Sequence, residues 1–546
     1  MHDVNEVECP HSPTIPAMLR LLAGKHGDRL LVAGFGRTST YREVEVESAE
    51  LAKGLLAAGV GKGSRVGLLM PNSPDWAVAW LGALRAGALV TGISTFLRPR
   101  ELAWVLRFAD IDTLLVAARY LRHDYLERLE EALPGLCEWD GQQPLAVTEA
   151  PYLRSIWVWG GEVPKWCRGT GEGLKDTGRT LDQRLLEAVE AEVTPSDSAV
   201  VIFTSGSMAD PKGVVHSHGT AVRHAYVLSQ YTVCARGERV GVMTPFFWIG
   251  GMLTLLNTMI AGGALVCPED PDPEYVLKFI RRERLDYLSG WAGQLNSLKE
   301  HTDFRPDDFS RLKPISATQA RAGMLGPPLT TPPERIANSL GMSETFGPHS
   351  GEFPGVVLPE NRVGSFGRAI AGIERKVVDP GGDREVPPGE HGELLVRGNS
   401  LMQGYYKRER WETFELDGFF RTSDLCSIME DGHLCFHGRF GEMIKTSGAN
   451  VSPLEVEQRL LSFADVLEAA VFGVPDASTG ESVVAVVVPR PGAILTADDV
   501  RSRLKQELSG FKVPKVILFA AGDELPRAES GKLQKRRLKE LIKPRL

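Results

Sequence analysis

The chain has 546 residues, more than a single hydrophobic core ordinarily spans, so two or three domains are expected. A hydrophobic fraction of 43% and a charged fraction of 24% suit a globular protein with large buried cores. The formal net charge of −8 argues against the basic footprint that sequence-independent nucleic-acid binding needs, so no nucleic-acid partner is expected.

The N-terminal segment MHDVNEVECPHSP is polar and acidic, unlike a secretory leader. Cys9, Cys137, Cys167, Cys234, Cys267, Cys426 and Cys435 are scattered, odd in number and without a CxxC pair. They read as reduced thiols and not as a disulfide framework or a zinc site, which predicts a cytoplasmic location. Val66–Met70 is a short apolar run like a buried strand. Asn72-Ser73-Pro74 is a helix start signal, and Trp76, Ala77, Ala79, Trp80 and Leu84 give Asp75–Ala86 helical spacing, with Gly87 as the stop. Ala88–Ile93 is apolar again, and strand-like runs return at Ala199–Phe203, Arg239–Met243 and Ala264–Cys267. Such alternation predicts an α/β fold with parallel sheets covered by helices. The longest apolar stretch, Gly250–Val266, is interrupted by Thr254, Asn257 and Thr258 and is short of a bilayer span, so no transmembrane segment is expected.

From about residue 360 the texture changes to short strand-like pieces between Gly, Asp and Pro turns: Ile373–Val378, Glu393–Arg397 and Leu434–His437. From about residue 440 a small α+β unit follows. It has a helix at Pro453–Ser462, strands at Val466–Gly473 and Ser482–Pro489, and a helix at Ala497–Leu508.

The first chemical signal is Thr204-Ser205-Gly206-Ser207-Met208-Ala209-Asp210-Pro211-Lys212-Gly213, placed directly after an apolar run. Glycine lets backbone N–H groups approach an anion, the hydroxyls add donors, and Lys212 adds a charge, which together suit a triphosphate. The spacing is not that of a Walker A loop, which disfavours an ordinary kinase or P-loop ATPase. A surface turn is the plain alternative for such a loop taken alone.

Further segments follow in order: Leu340-Gly341-Met342-Ser343-Glu344-Thr345, Phe420-Arg421-Thr422-Ser423-Asp424, Gly438-Arg439-Phe440-Gly441 running on through Gly448 to Glu457, and Leu525-Pro526-Arg527-Ala528-Glu529-Ser530-Gly531-Lys532. With the phosphate loop they resemble the adenylate-forming superfamily that includes acyl-CoA synthetases, firefly luciferase and peptide-synthetase adenylation domains. The resemblance runs from about Thr40 to Leu538. It implies a large N-terminal adenylation domain, residues 1–438, of parallel sheets with helices and a β-rich subdomain at about 360–438. A small mobile α+β C-terminal domain, residues 439–546, would follow.

The implied activity is ATP-dependent conversion of a hydrophobic carboxylic acid to acyl-AMP and then, with coenzyme A, to a thioester. ATP, Mg²⁺ and coenzyme A are the implied cofactors. Carried over residue by residue, Thr204, Ser205, Gly206, Ser207 and Lys212 would hold phosphate. Gly341 would belong to the nucleotide-binding set, Ser343 would contact the α-phosphate, and Glu344 would help hold Mg²⁺. Asp424 and Arg439 would hold the ribose, Gly441 would be the hinge, Gly448 would sit on the thiol side, and Lys532 would be the catalytic lysine of adenylation. Thr244–Met252 corresponds to the acid-pocket stretch, where Phe247, Trp248 and Gly251 would meet the acid. Trp248 stands where the family has His, and the lack of an Asp there disfavours an amino-acid substrate.

Several positions depart from the pattern. Met208 and Ala209 replace Thr and Gly, Leu340 replaces a Tyr that stacks on adenine, and Ser423 replaces a Gly. Three alternatives stay open at this point: loading of a separate acyl carrier protein's phosphopantetheine, a luciferase-type oxidase, and a non-catalytic acid or nucleotide binder. Which acid is used, and whether the chain forms a homodimer, are not legible in the sequence.

Overall fold

The computed structural model describes residues 9–139, 143–204, 212–231, 236–290, 292–314, 319, 332–353, 355–379, 381–442, 444–446, 449–476, 480–508, 510–528 and 533–545. The chain divides into two compact units. The first is Met1–Glu374 with Arg397–Gly418, and the second is Arg375–Val396 with Phe419–Leu546.

The first unit is built on an eight-stranded sheet. Its order is Gly404–Tyr405, Lys212–Ser217, Ser198–Thr204, Leu89–Gly92, Arg65–Leu69, Thr113–Ala117, Ser155–Trp159, Gly169–Thr170. Neighbours are parallel from Ser198–Thr204 to Gly169–Thr170. The Lys212–Ser217 strand returns antiparallel, and the short edge strand Gly404–Tyr405 pairs antiparallel with it. The central strands are continuous apolar runs because both faces are covered.

The helix Pro74–Arg85 shows why the local sequence folds as it does. Ser73 Oγ accepts from Trp76 N at 3.1 Å, Pro74 occupies the first turn, and the chain leaves through Gly87 at φ +80°. The helix is buried on nearly every side, with Trp76 and Trp80 stacked at 5.8 Å. Its last residue, Arg85, is wholly buried and meets Glu190 and, at 2.8 Å, Glu45. A guanidinium so placed is tolerable only because carboxylates neutralise it.

A second sheet orders Tyr287–Ser289, Arg239–Val242, Ala264–Val266, Leu30–Gly34 and Arg37–Thr40. The apolar stretch from Gly250 divides into the helix Ile249–Ala261 and the strand Ala264–Val266, broken by left-handed Gly262. No helix among the described residues is long and apolar enough to cross a membrane. The small sheet Leu340–Met342, Gly347–Gly351, Arg368–Ala369 carries the turn Ser343–Thr345.

The second unit holds most of a four-stranded sheet ordered Ile373–Val378, Gly392–Gly398, Phe420–Ile428, Leu434–Arg439. It also holds a five-stranded sheet with the helices Pro453–Leu461, Ala497–Glu507 and Lys535–Ile542. In the strand Gly480–Pro489, Val483, Ala485 and Val487 join one core while Val484, Val486 and Val488 join another. This period-two division makes it a central strand covered on both faces. The described cysteines carry no disulfide.

Candidate active site

In the first unit the candidate residues gather at the end of the large sheet. Thr204 closes one strand and Lys212 opens the next, and the two are paired across the hairpin. The sheet thus fixes the two residues that flank the segment 205–211. Ser205, Gly206 and Ser207 lie outside the described residues. Lys212 Nζ lies 4.6 Å from the centre of the Tyr405 ring, within cation–π range. The Tyr405 hydroxyl donates to Glu344 Oε1 at 2.7 Å.

The Ser343–Thr345 turn is held from several sides. His216 Nε2 donates to the Ser343 carbonyl at 2.7 Å, and Met402 N donates to the Glu344 carbonyl at 2.8 Å. His216 is wholly buried, and burial pushes its imidazole down to about 3, so it is neutral. Because its partner is a carbonyl, Nε2 must carry the proton. Gly341 precedes the turn, and a Cβ there would lie 2.3 Å from the Gly347 carbonyl oxygen, so only glycine fits.

Phe247, Trp248 and Gly251 sit where the segment after Val242 turns into the helix Ile249–Ala261. Asn72 fixes that segment, accepting from Phe246 N at 2.7 Å and donating to the Thr244 carbonyl at 2.9 Å. Phe247 is buried and Trp248 half-buried, their rings edge-on at 5.1 Å. A Cβ on Gly251 would fall 2.0 Å from the Pro245 carbonyl oxygen, so the turn closes only over glycine.

In the second unit Asp424 is buried on Phe420–Ile428 and accepts from Arg439 Nε at 3.0 Å across the strand pair. Ser423 stands at φ +60°, a left-handed conformation that glycine adopts without penalty. That explains why a glycine suits this position and why its replacement carries strain. Gly441 lies in the turn Phe440–Glu442. Lys532 and Gly448 lie outside the described residues.

Thus Thr204, Lys212, Gly341, Ser343 and Glu344 belong to adjoining elements of the first unit, with Phe247, Trp248 and Gly251 also in that unit. Asp424 and Arg439 are paired in the second. Sequence reasoning missed Tyr405, His216 and Asn72. Tyr405 sits on a two-residue edge strand with no periodicity to reveal it. A second histidine beside His218 was the only visible hint of His216.

The described residues contain no group of three or more His, Cys, Asp or Glu able to hold a metal. Glu344 offers a carboxylate, bonded through the Tyr405 hydroxyl to the ring on which Lys212 rests. That donor set does not fit a protein-caged metal, but it fits a Mg²⁺ held mainly by phosphate oxygens and one carboxylate.

The AMP-binding enzyme family profile matches residues 19–406, and that of the AMP-binding enzyme C-terminal domain matches residues 455–532. A putative acyl-CoA synthetase of Bacillus subtilis (strain 168), YngI, is 28% identical over 98% of this chain and 97% of its own. A feruloyl-CoA synthase of an Amycolatopsis species is 29% identical over 92% and 93%. Among solved structures, the anthranilate CoA ligase AuaEII in complex with anthranoyl-AMP superposes with a TM-score of 0.80. It is 24% identical and covers 98% of both chains. ATP-bound MatB from Rhodopseudomonas palustris gives 0.79 at 24% identity, over 97% of this chain and 99% of that one. At that identity the two structures speak for the fold alone.

Proposed function

The chain belongs to the AMP-binding enzymes, and on that premise we propose that it is an acid–thiol ligase that joins a hydrophobic carboxylic acid to coenzyme A at the expense of ATP. The observation that carries this reading is the line Lys212–Tyr405–Glu344. A cation lies over the face of one phenol and a carboxylate takes its hydroxyl, and Lys212 directly follows a segment of phosphate-binding composition.

The reaction's first difficulty is electrostatic. A carboxylate must approach a polyanion, so positive charge has to be in place beforehand. Lys212 supplies it beside the segment Thr204–Ser207, and Ser343 is the proposed donor to the α-phosphate. Glu344 would hold Mg²⁺, which supplies further charge neutralisation when bound. Asp424 and Arg439 are the proposed ribose residues, and Lys532 the proposed partner of the charge that develops during adenylation. The acid's oxygen attacks the α-phosphorus, the bond to the bridging oxygen breaks, and pyrophosphate leaves. The sulfur of the thiol then attacks the acyl carbon, losing its proton, and AMP departs with the electron pair. Both steps depend mostly on positioning.

For the second step we propose that a C-terminal domain beginning at residue 439 turns about Gly441, with Gly448 on the thiol side. The N-terminal adenylation domain would then be residues 1–438. The apolar lining of Phe247 and Trp248 supports an acid without a charged tail. Coenzyme A is the proposed thiol, and a carrier protein's phosphopantetheine offers the same reacting arm.

ATP–pyrophosphate exchange across fatty, aryl and sterol-type acids tests this reading, followed by thioester detection with coenzyme A. Lys532→Ala is expected to slow exchange by about a hundredfold or more, the weight of one transition-state charge contact. It should spare thioester formation from supplied acyl-AMP. Silence across all acids would remove the catalytic assignment.

A further inference from the structure

The loop that leads into the helix Pro99–Phe108 is fixed by another element. The Thr95 carbonyl accepts from Tyr125 Oη at 3.3 Å and from Arg128 Nη1 at 2.9 Å, and the Leu97 carbonyl accepts from Arg128 Nη1 at 3.0 Å. Tyr125 and Arg128 both belong to the helix Tyr125–Ala132, and the guanidinium lies 5.0 Å from the Tyr125 ring centre. Ser94 Oγ accepts from Phe96 N at 3.2 Å. The backbone on both sides of Phe96 is thus held, and Thr95 is buried, yet the Phe96 side chain is 42% exposed.

A phenyl ring left 42% exposed on a backbone held from both sides is not part of the buried core. It leans instead on the two aromatic residues of the acid-pocket stretch. The Phe96 ring centre is 6.0 Å from that of Phe247, at 79°, and 6.1 Å from that of Trp248, at 37°. Phe247 is seated on Gly92, where a Cβ would come within 2.9 Å of Phe247 Cα. Three rings therefore form one continuous wall. Two come from the segment after the strand Arg239–Val242, and the third from the loop between the strand Leu89–Gly92 and the helix Pro99–Phe108.

Such a wall offers ring faces and edges in set directions. A planar ring can meet it edge-to-face or offset-stacked and gains the aromatic contribution on top of area burial. A polymethylene chain gains area alone and surrenders torsional freedom to lie flat. We propose that Phe96 is a specificity-determining residue, completing the acid-binding wall and selecting acids that carry a planar ring over straight-chain acids. This rests on the adenylation reading above and on Thr244–Met252 as the acid-binding stretch.

The test measures pyrophosphate release by the full chain with 3-phenylpropanoate and octanoate, acids of similar size, varying ATP and coenzyme A in turn. Wild type is expected to favour the ring acid. Phe96→Ala should lower the ratio of kcat/KM for ring acid over chain acid by about tenfold, the weight of one aromatic pair. Phe96→Leu, apolar but not aromatic, should lower the ratio as well. A wild-type preference for octanoate, equal losses for both acids, or a change confined to the KM for coenzyme A overturns the proposal while adenylation stands. No release by wild type with these or any other acid removes the adenylation reading itself.

Discussion

Lowering the pH should unfold the first unit well before its carboxylates titrate, because three of its histidines are buried in the neutral form. His216 and His218 are wholly buried, and His224 is 3% exposed. Desolvation pushes His216 down to about 3, His218 to about 4 and His224 to about 4. His216 donates to the Ser343 carbonyl and His224 to the Pro348 carbonyl, while His218 Nδ1 accepts from Ile15 N at 3.3 Å. Nδ1 of His216 is buried without a partner, so a second proton there would have no acceptor, and a second proton on His218 would fall on Nδ1, against the Ile15 N–H that it accepts. In the unfolded chain each imidazole titrates near its ordinary value of about 6.5. Above that pH neither state binds the proton and stability is unaffected. Below it the unfolded state gains protons that the folded state refuses, at about 1.4 kcal/mol per pH unit for each group. Three groups give a slope of about 4 kcal/mol per pH unit, and near pH 5 a loss of about 6 kcal/mol relative to pH 8. That is comparable with the whole stability of many domains, about 5–15 kcal/mol. Urea midpoints followed by tryptophan fluorescence should therefore fall steeply below about pH 6.5. Trp76 and Trp80 report from within this core. His224→Gln, which keeps an N–H for the Pro348 carbonyl, should reduce the slope by about a third. A midpoint that holds steady down to about pH 5, or an unchanged slope in the variant, refutes the reasoning.

Two further outcomes follow from contacts at the site. Tyr405→Phe removes the donor to Glu344 and should lower kcat for ATP–pyrophosphate exchange by about tenfold, the range of a hydrogen bond to a charged group. The KM for the acid should be unchanged. The adjacent glycines Gly250 and Gly251 should behave oppositely. A Cβ on Gly250 meets nothing within 4 Å, whereas one on Gly251 falls 2.0 Å from the Pro245 carbonyl oxygen. Gly251→Ala should lower the urea midpoint by the equivalent of about 1–3 kcal/mol and raise the KM for the acid, while Gly250→Ala leaves stability within about 0.5 kcal/mol. Equal stability of the two variants would contradict the close approach.

The regular elements were legible because their signals are local. Ser73 and Pro74 announce the helix Pro74–Arg85, and the apolar runs Val66–Met70 and Ala199–Phe203 announce the strands Arg65–Leu69 and Ser198–Thr204, apolar because both faces are covered. The candidate residues were legible through short motifs, since phosphate chemistry draws on a few residue types at fixed spacing. Tyr405 and His216 were not. Tyr405 comes to Glu344 only because the strand Gly404–Tyr405 pairs with Lys212–Ser217, a contact between residues far apart in the chain. His216 faces Ser343 by the same kind of long-range placement, and a histidine in a strand carries no sign of what lies opposite. Departures from a motif were legible as letters but not as energies. Ser423 reads as a mild substitution until its φ of +60° is known.

Tyr405 also resolves an electrostatic problem that the sequence alone could not pose. A lysine and a glutamate close together tend to pair, and a paired Lys212 and Glu344 would spend on each other the charges that their proposed roles, towards phosphate and magnesium, call for. Among the described residues Lys212 makes no ion pair, and its ammonium rests on the face of the Tyr405 ring. Glu344 takes the Tyr405 hydroxyl on one oxygen. A phenol can serve both neighbours because its face attracts a cation while its hydroxyl donates to an anion. Each contact is weaker than a direct salt bridge in a dry site, so each can give way when a stronger partner arrives. The turn that bears Glu344 stays in place meanwhile, since His216 and Met402 hold its backbone and not its carboxylate. Among the described residues the charges are thus positioned without an ion pair between them, which is what the proposed polyanion site would need before binding.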